Sequence, residues 1–259
     1  MTNRISVIII PIIVTHFVTI ERVANGGTME KARWIIFSVV VILLFGSLIA
    51  WSRLANPPVD TSNVDKSGVV SASEASGNIE DHVRGDASSS VVVVEYADFQ
   101  CPSCQAAHSE VNDLVNKYGD SVAFIFRNFP LPSIHPNAQA ASGAAEAAGL
   151  QNKYWEMQNL LFENQTSWST LDTNKRTDAF RSYATQLGLD PEQFVGDLGG
   201  EDVRKKISFD VSLGTAQGVT GTPSYYVNGE PIDTEVASSF VNGDPSSFHA
   251  LLDEYLAEE

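Results

Sequence analysis

The only two cysteines in this 259-residue chain lie in Cys101-Pro102-Ser103-Cys104, between a strand pattern and a helix pattern. That placement constrains the fold more than any other feature. Val91-Val92-Val93-Val94-Glu95-Tyr96 reads as a buried strand, and Ala107, Val111, Leu114, Val115 and Tyr118 recur at helical spacing, with Gly119 to end the helix. A thiol at a helix start meets unpaired N–H groups and the positive end of the helix dipole, so its thiolate is favoured. A C-x-x-C joining a strand to a helix therefore reads as a redox pair. Two other readings compete. His108 lies one turn after Cys104, so a three-ligand copper or zinc site is one alternative, although structural zinc normally takes four ligands. A purely structural disulfide is the other, but across so short a gap it would restrain little of the unfolded chain.

The N-terminal region has a different character. Trp34 to Trp51 carries no charge and is almost wholly apolar, with a Trp at each end to suit the two membrane interfaces. Residues 34–51 are expected to be a transmembrane signal anchor. Ser47-Leu48-Ile49-Ala50 and Arg53-Leu54-Ala55 make poor cleavage sites, which favours an uncleaved anchor. Lys31 and Arg33 place the N-terminus inside, and Arg53 weakens that asymmetry. Residues 1–33 form an N-terminal segment whose apolar run, Ile5 to Ile20, is interrupted by Pro11 and His16. Met29-Glu30-Lys31-Ala32-Arg33 looks like the start of a membrane-anchored protein, so translation is expected to begin at Met29.

Charge divides the chain at the same place. Residues 1–55 hold five Lys/Arg and two acids; residues 56–259 hold eleven and thirty. An acidic soluble part is not a nucleic-acid binder, since phosphate needs a basic face. Residues 52–88 are rich in Ser, Asp, Gly and Asn without apolar periodicity, and read as a flexible linker to a domain at 89–259. A domain with two cysteines only has no spare thiol to mispair with its own site, which fits an extracytoplasmic protein that handles other proteins' thiols.

Within 89–259, Ser121 to Phe126 is the next strand, parallel to the first across an ordinary βαβ unit. From about 136 to 215 no strand pattern appears. Pro136 fits the first turn of a helix running to Gly149. Tyr154 to Leu161, and Ala179 to Leu187 ended by Gly188, suggest two more. Asp190-Pro191-Glu192-Gln193 reads as a capping box for a fourth, and Val203, Ile207 and Val211 line a fifth. Strand character returns at Pro223 to Val227. Asn228-Gly229 is a hairpin turn with a partner strand near Glu230 to Asp233. Phe248, Leu251, Leu252, Tyr255 and Leu256 then form the core stripe of a last helix.

Taken together, Glu95-Tyr96-Ala97-Asp98-Phe99-Gln100-Cys101-Pro102-Ser103-Cys104, Phe129-Pro130-Leu131 with His135-Pro136, Tyr154-Trp155-Glu156-Met157, and Gly218-Val219-Thr220-Gly221-Thr222-Pro223 with Val227-Asn228-Gly229 resemble the DsbA-like thiol–disulfide oxidoreductases of the thioredoxin superfamily, in their membrane-tethered subgroup. The resemblance implies an α/β thioredoxin-like fold with a helical insertion, preceded by a single transmembrane helix and a flexible linker. It implies that Cys101 is the attacking thiolate and Cys104 the buried resolving thiol. Pro102 and Ser103 complete the redox motif, and Thr222-Pro223 forms the cis-proline loop that receives an extended substrate. It implies that Glu95 is a buried acid relaying a proton to the inner thiol. Asp98, His108 and His135 are weaker candidates at the border of the site. The strongly oxidising members carry His where this chain has Ser103, so less help reaches the outer thiolate here.

The expected activity is introduction of disulfides into secreted or membrane proteins through a Cys101 mixed disulfide, in an extracytoplasmic, single-pass membrane protein of a bacterium or archaeon. Its partners would be extended or unfolded polypeptides with thiols or disulfides, and a quinone-linked thiol oxidase of the DsbB or VKOR type. No cofactor beyond the Cys101–Cys104 disulfide and no metal is expected. A reductase or isomerase is the alternative within enzymes. Outside them stand a copper or zinc chaperone using Cys101, Cys104 and His108, and a non-catalytic module for extended peptides.

Overall fold

The computed structural model describes residues 29–55 and 59–258. The chain divides into two compact units, one up to Pro58 and one from Val59 onward. In the first, α1 (Met29–Ala55) is one continuous helix of 27 residues. Its window Lys31–Leu48 is long and apolar enough to cross a membrane. Eighteen residues of helix rise about 27 Å, the thickness of a thin hydrocarbon core. The earlier apolar run, Ile5 to Ile20, lies outside the described residues, and Met29, the expected start of translation, is the first residue of α1.

The second unit is built on a five-stranded sheet ordered β1-β3-β2-β4-β5. The strands are β1 (His82–Gly85), β2 (Val92–Ala97), β3 (Ala123–Asn128), β4 (Ser224–Val227) and β5 (Glu230–Pro231). β2 and β3 pair in parallel across α2 (Pro102–Tyr118), the βαβ unit that the sequence predicts. β4 runs antiparallel to β2. Asn228 and Gly229, with φ of 48° and 84°, turn the chain into β5, where glycine takes the positive angle without a Cβ penalty.

Alternation along β2 sorts its side chains between two cores. Val93 joins Phe124, Tyr225 and Val227 beneath α2, α9 (Thr234–Val241) and α10 (Ser246–Ala257); the last helix brings Phe248 and Leu252 as its spacing predicts. Val92, Val94 and Tyr96 face Phe209 and Leu213 of α8 (Glu201–Ala216) on the other side. The helical insertion is present, with α3 (Ala138–Gly149), α4 (Tyr154–Glu163), α5 (Gln165–Trp168), α6 (Thr173–Gln186) and α7 (Pro191–Asp197) before α8. Among the described residues no strand interrupts it. Two local readings change. Pro136 lies before the helix, whose cap is Asn137. The Asp190 side chain accepts from Glu192 and Gln193 as a cap should, but the Asp190 N–H goes to Gln151 Oε1, not to Gln193.

The largest correction concerns residues 52–88. From Val59 onward this stretch is docked on the domain. Val59, Val64 and Val70 pack on the Val92–Val94–Tyr96 face, and β1 pairs with β3. A buried ionic cluster holds the docked segment. The Arg127 guanidinium donates to Lys66 O at 3.2 Å and to Gly68 O at 3.0 Å, and pairs with Asp81 Oδ2 at 2.7 Å. Lys206 bridges Asp81 and Asp210 at 3.0 and 2.7 Å. Asn128 joins Asp210 to Glu146, whose other oxygen meets His82 at 2.8 Å. Although burial opposes the charge, Lys206 and Arg127 bring Asp81 down to about 2. Composition alone hides such a segment, because a few valines and its backbone carbonyls hold it.

Candidate redox site

Cys101 sits at the N-cap of α2 with extended backbone (φ −70°, ψ 123°), and Pro102 occupies the first turn, where its missing N–H costs no hydrogen bond. Both cysteines are free thiols. Cys101 keeps 7% of its surface, Cys104 none, and Pro102 and Ser103 are exposed. The helix start faces the loop before β4, whose Thr222–Pro223 bond is cis, as the resemblance implies. Cys101 Sγ lies 3.3 Å from Thr222 O. The Thr222 hydroxyl is buried and has no hydrogen-bond partner among the described residues.

These neighbours split the two thiols. The Cys104 thiol, then the Thr222 hydroxyl and the N–H groups of Cys104 and Ser103, hold the Cys101 thiolate against its burial and bring it down to about 5. Burial pushes Cys104 well up, and the adjoining Cys101 sulfur pushes the same way. The pair is thus built with one thiol ionised at neutral pH and one protonated.

Glu95 stands beneath the pair on β2, in register with Tyr225 of β4. Burial raises its carboxyl to about 7, while the Tyr225 hydroxyl, donating at 3.2 Å, partly offsets that rise. Glu95 also lines a narrow, mostly apolar cavity together with Arg84, Trp155 and Gln158.

The weaker candidates separate. Asp98 is fully buried and accepts from Gln100 N, Leu131 N and His135 Nδ1 at 2.7, 2.9 and 2.8 Å, while its carbonyl accepts from Cys101 N. Asp98 and His135 therefore brace the loop that leads into the motif. His108 points elsewhere. It stacks on Phe162, its Nε2 meets Asn112, and burial pulls it down to about 4. Among the described residues no group of three His, Cys, Asp or Glu side chains is arranged to hold a metal ion.

Sequence reasoning missed the amides around the motif. Gln165 donates to Phe99 O and Cys101 O, Gln105 to Phe162 O, and Gln100 to Ser169 O while accepting from Asn137 N. These residues have no periodic signature.

Residues 77–242 match the family model described as Thioredoxin. A thioredoxin-like oxidoreductase from Silicibacter pomeroyi superposes with a TM-score of 0.51 at 26% identity, covering 65% of this chain and 95% of that one. Oxidised BdbD from Bacillus subtilis gives 0.53 at 23%, covering 68% and 100%, and alpha-DsbA1 from Wolbachia pipientis gives 0.56 at 22%, covering 69% and 92%. Among curated proteins, Na(+)/H(+) antiporter NhaA 3 of Salinispora tropica is 40% identical over 165 residues, which are 62% of this chain and 24% of that protein. Na(+)/H(+) antiporter NhaA 1 of Salinispora arenicola is 32% identical over 212 residues, 79% and 31% respectively. The chain spans about a quarter to a third of these relatives, so their transport activity is a property of longer proteins. The family match spans β1 to α9 and takes in both Cys101–Cys104 and the Thr222–Pro223 loop: the chain belongs to the thioredoxin family.

Proposed function

We propose that this chain is a membrane-anchored thiol–disulfide oxidoreductase that introduces disulfides into polypeptides on the outer side of the cell membrane. The observation that carries this reading is the Cys101 thiol, lowered to about 5 and set against Thr222-Pro223. In this chemistry a strong oxidant has its outer thiol near about 3.5 and a reductant near about 7. A stabilised thiolate stabilises the reduced pair, which makes the disulfide a better oxidant. Cys101 falls between these limits, as expected where Ser103 replaces a histidine.

The exchange runs in two steps. A substrate thiolate attacks Cys101 Sγ of the oxidised pair, forming a substrate–Cys101 disulfide and expelling Cys104 as a thiolate. With its strongly raised pKa, Cys104 takes a proton, supplied by Glu95. A second substrate thiolate then attacks the substrate sulfur of the mixed disulfide, closes the substrate disulfide and releases the Cys101 thiolate. Two electrons pass to the cysteine pair. A quinone-linked thiol oxidase of the DsbB or VKOR type would remove them within the membrane, where α1 holds the enzyme.

The test is the reduction potential of Cys101–Cys104 in the full chain, in detergent, equilibrated against glutathione buffers. A potential near or above about −180 mV supports a disulfide donor. One near about −270 mV makes the protein a reductase fed with electrons through the membrane.

A further inference from the structure

Gln165 is almost wholly buried, at 5% exposure, and its side-chain amide N–H groups reach two carbonyls of the loop that carries the attacking thiol: Phe99 O at 2.8 Å and Cys101 O at 3.0 Å. Gln165 belongs to α5, in the helical insertion, 64 residues beyond Cys101. Phe99 O has no other donor among the described residues, whereas Cys101 O also receives the helical N–H of Gln105. Both carbonyls are the negative ends of peptide dipoles on either side of the residue that becomes an anion. In a buried site such dipoles act with little screening. Donors placed on them reduce the negative potential at Cys101 Sγ and fix the direction in which the first turn of α2 points its N–H groups.

We infer that Gln165 is a positioning residue for the redox reaction: through the Phe99 and Cys101 carbonyls it holds the redox loop in the geometry that favours the Cys101 thiolate. This rests on the reading of Cys101–Cys104 as an exchanging pair. Removing the amide leaves one carbonyl without a donor and the other with one fewer. The thiolate then becomes less favourable and the disulfide less oxidising.

The experiment compares wild type, Gln165→Met and Gln105→Met in the full chain in detergent. Methionine is similar in length and flexibility to glutamine and has no donor. Gln105 supplies a matched control, since its side chain donates at 2.9 Å to Phe162 O, in the same contact between α2 and the insertion but away from the redox loop. The readouts are the pH midpoint of the Cys101 thiolate by its ultraviolet absorbance, the glutathione exchange equilibrium and the melting temperature. Gln165→Met is expected to raise the midpoint and shift the equilibrium roughly threefold to tenfold toward the disulfide. Gln105→Met is expected to lower the melting temperature alone. Equal midpoints in Gln165→Met and wild type, or equal displacement in both variants, would overturn the proposal. If Gln165→Met does not fold, Gln165→Glu takes its place with the same expected direction. A wild type that forms no disulfide in glutathione, or titrates as an ordinary thiol, would overturn the exchange reading instead.

Discussion

Glu95 and Tyr225 face each other in register across β2 and β4, and the Tyr225 hydroxyl donates to Glu95 Oε1 at 3.2 Å. A carboxyl fully enclosed with one hydroxyl partner and no cation stays protonated at far higher pH than one in water.

Its consequence for stability has a definite sign. The folded Glu95 ionises at about 7 and the unfolded one at 4.5, so between these values the folded state keeps a proton that the unfolded state has lost. This contribution is complete below pH 4.5 and is lost as pH rises through about 7, on the order of 3 kcal/mol in all. Urea unfolding of the oxidised form should show that slope in wild type and its loss in Glu95→Gln. Parallel curves for the two proteins would refute the assignment.

The Cys101 thiolate should appear with a midpoint near 5 when alkylation rate is followed against pH, with Cys104 unreactive throughout. Thr222→Val keeps the shape of the loop and removes a buried hydroxyl that has no hydrogen-bond partner and is free to turn to the Cys101 thiolate. It should raise the midpoint by roughly half a unit or more. A wild-type midpoint in the range of a free thiol would contradict the site geometry.

Cys104→Ala should accumulate covalent adducts with disulfide-bearing polypeptides, formed as the Cys101 thiolate attacks one sulfur of the substrate disulfide and expels the other as a thiolate, and released by reductant, because no resolving thiol remains. Cys101→Ser should accumulate none, and both should lose exchange activity. Non-reducing electrophoresis followed by peptide mapping reads the outcome; adducts on Cys104 in the serine variant would reverse the assigned roles.

Lys206→Met leaves Asp81 and Asp210 buried without their shared cation, at a cost of about 3–5 kcal/mol in unfolding free energy. A chain beginning at residue 89 lacks β1, Asp81 and the docked valines, and should fail to give a cooperative transition. Cooperative melting of that fragment near the full-length temperature would show the segment to be dispensable.

Gly214 marks a close packing of α8 on the sheet. A Cβ there would lie 2.8 Å from Phe129 Cδ2 and 3.0 Å from Tyr96 Cδ1. Gly214→Ala should destabilise by about 1–3 kcal/mol through this overpacking, despite the better helix propensity of alanine. An unchanged melting temperature would mean that the rings move aside.

Sequence periodicity located most elements that bury a regular apolar face, but missed α9, whose Val236 and Phe240 join the core beneath β4. The valines of β2, the stripe of α10 and the helices of the insertion were legible because burial imposes periods of two and 3.6 on side chains. Cys101, Cys104 and the Thr222–Pro223 loop were legible because few residue types can do their work. Residues 59–81 were misread because Arg127 holds their backbone carbonyls, and a carbonyl leaves no mark in sequence. Gln165, Gln100 and Tyr225 escaped notice for a related reason. Their role depends on where one amide or hydroxyl ends up in space, which neither composition nor spacing encodes. His108 shows the opposite error: one turn from Cys104 in sequence, it turns its ring to Phe162.

The reach of Asp81 across the chain bears on the order in which the domain can be completed as it is made. Its partners Arg127 and Lys206 follow it by 46 and 125 residues. A chain made from its N-terminus exposes Asp81 early, before either cation exists to meet it. Loop closure over such distances is slow relative to local helix formation. The docked segment therefore gains Arg127 first and Lys206 only after α8 is made, so the scaffold around the dithiol is completed late.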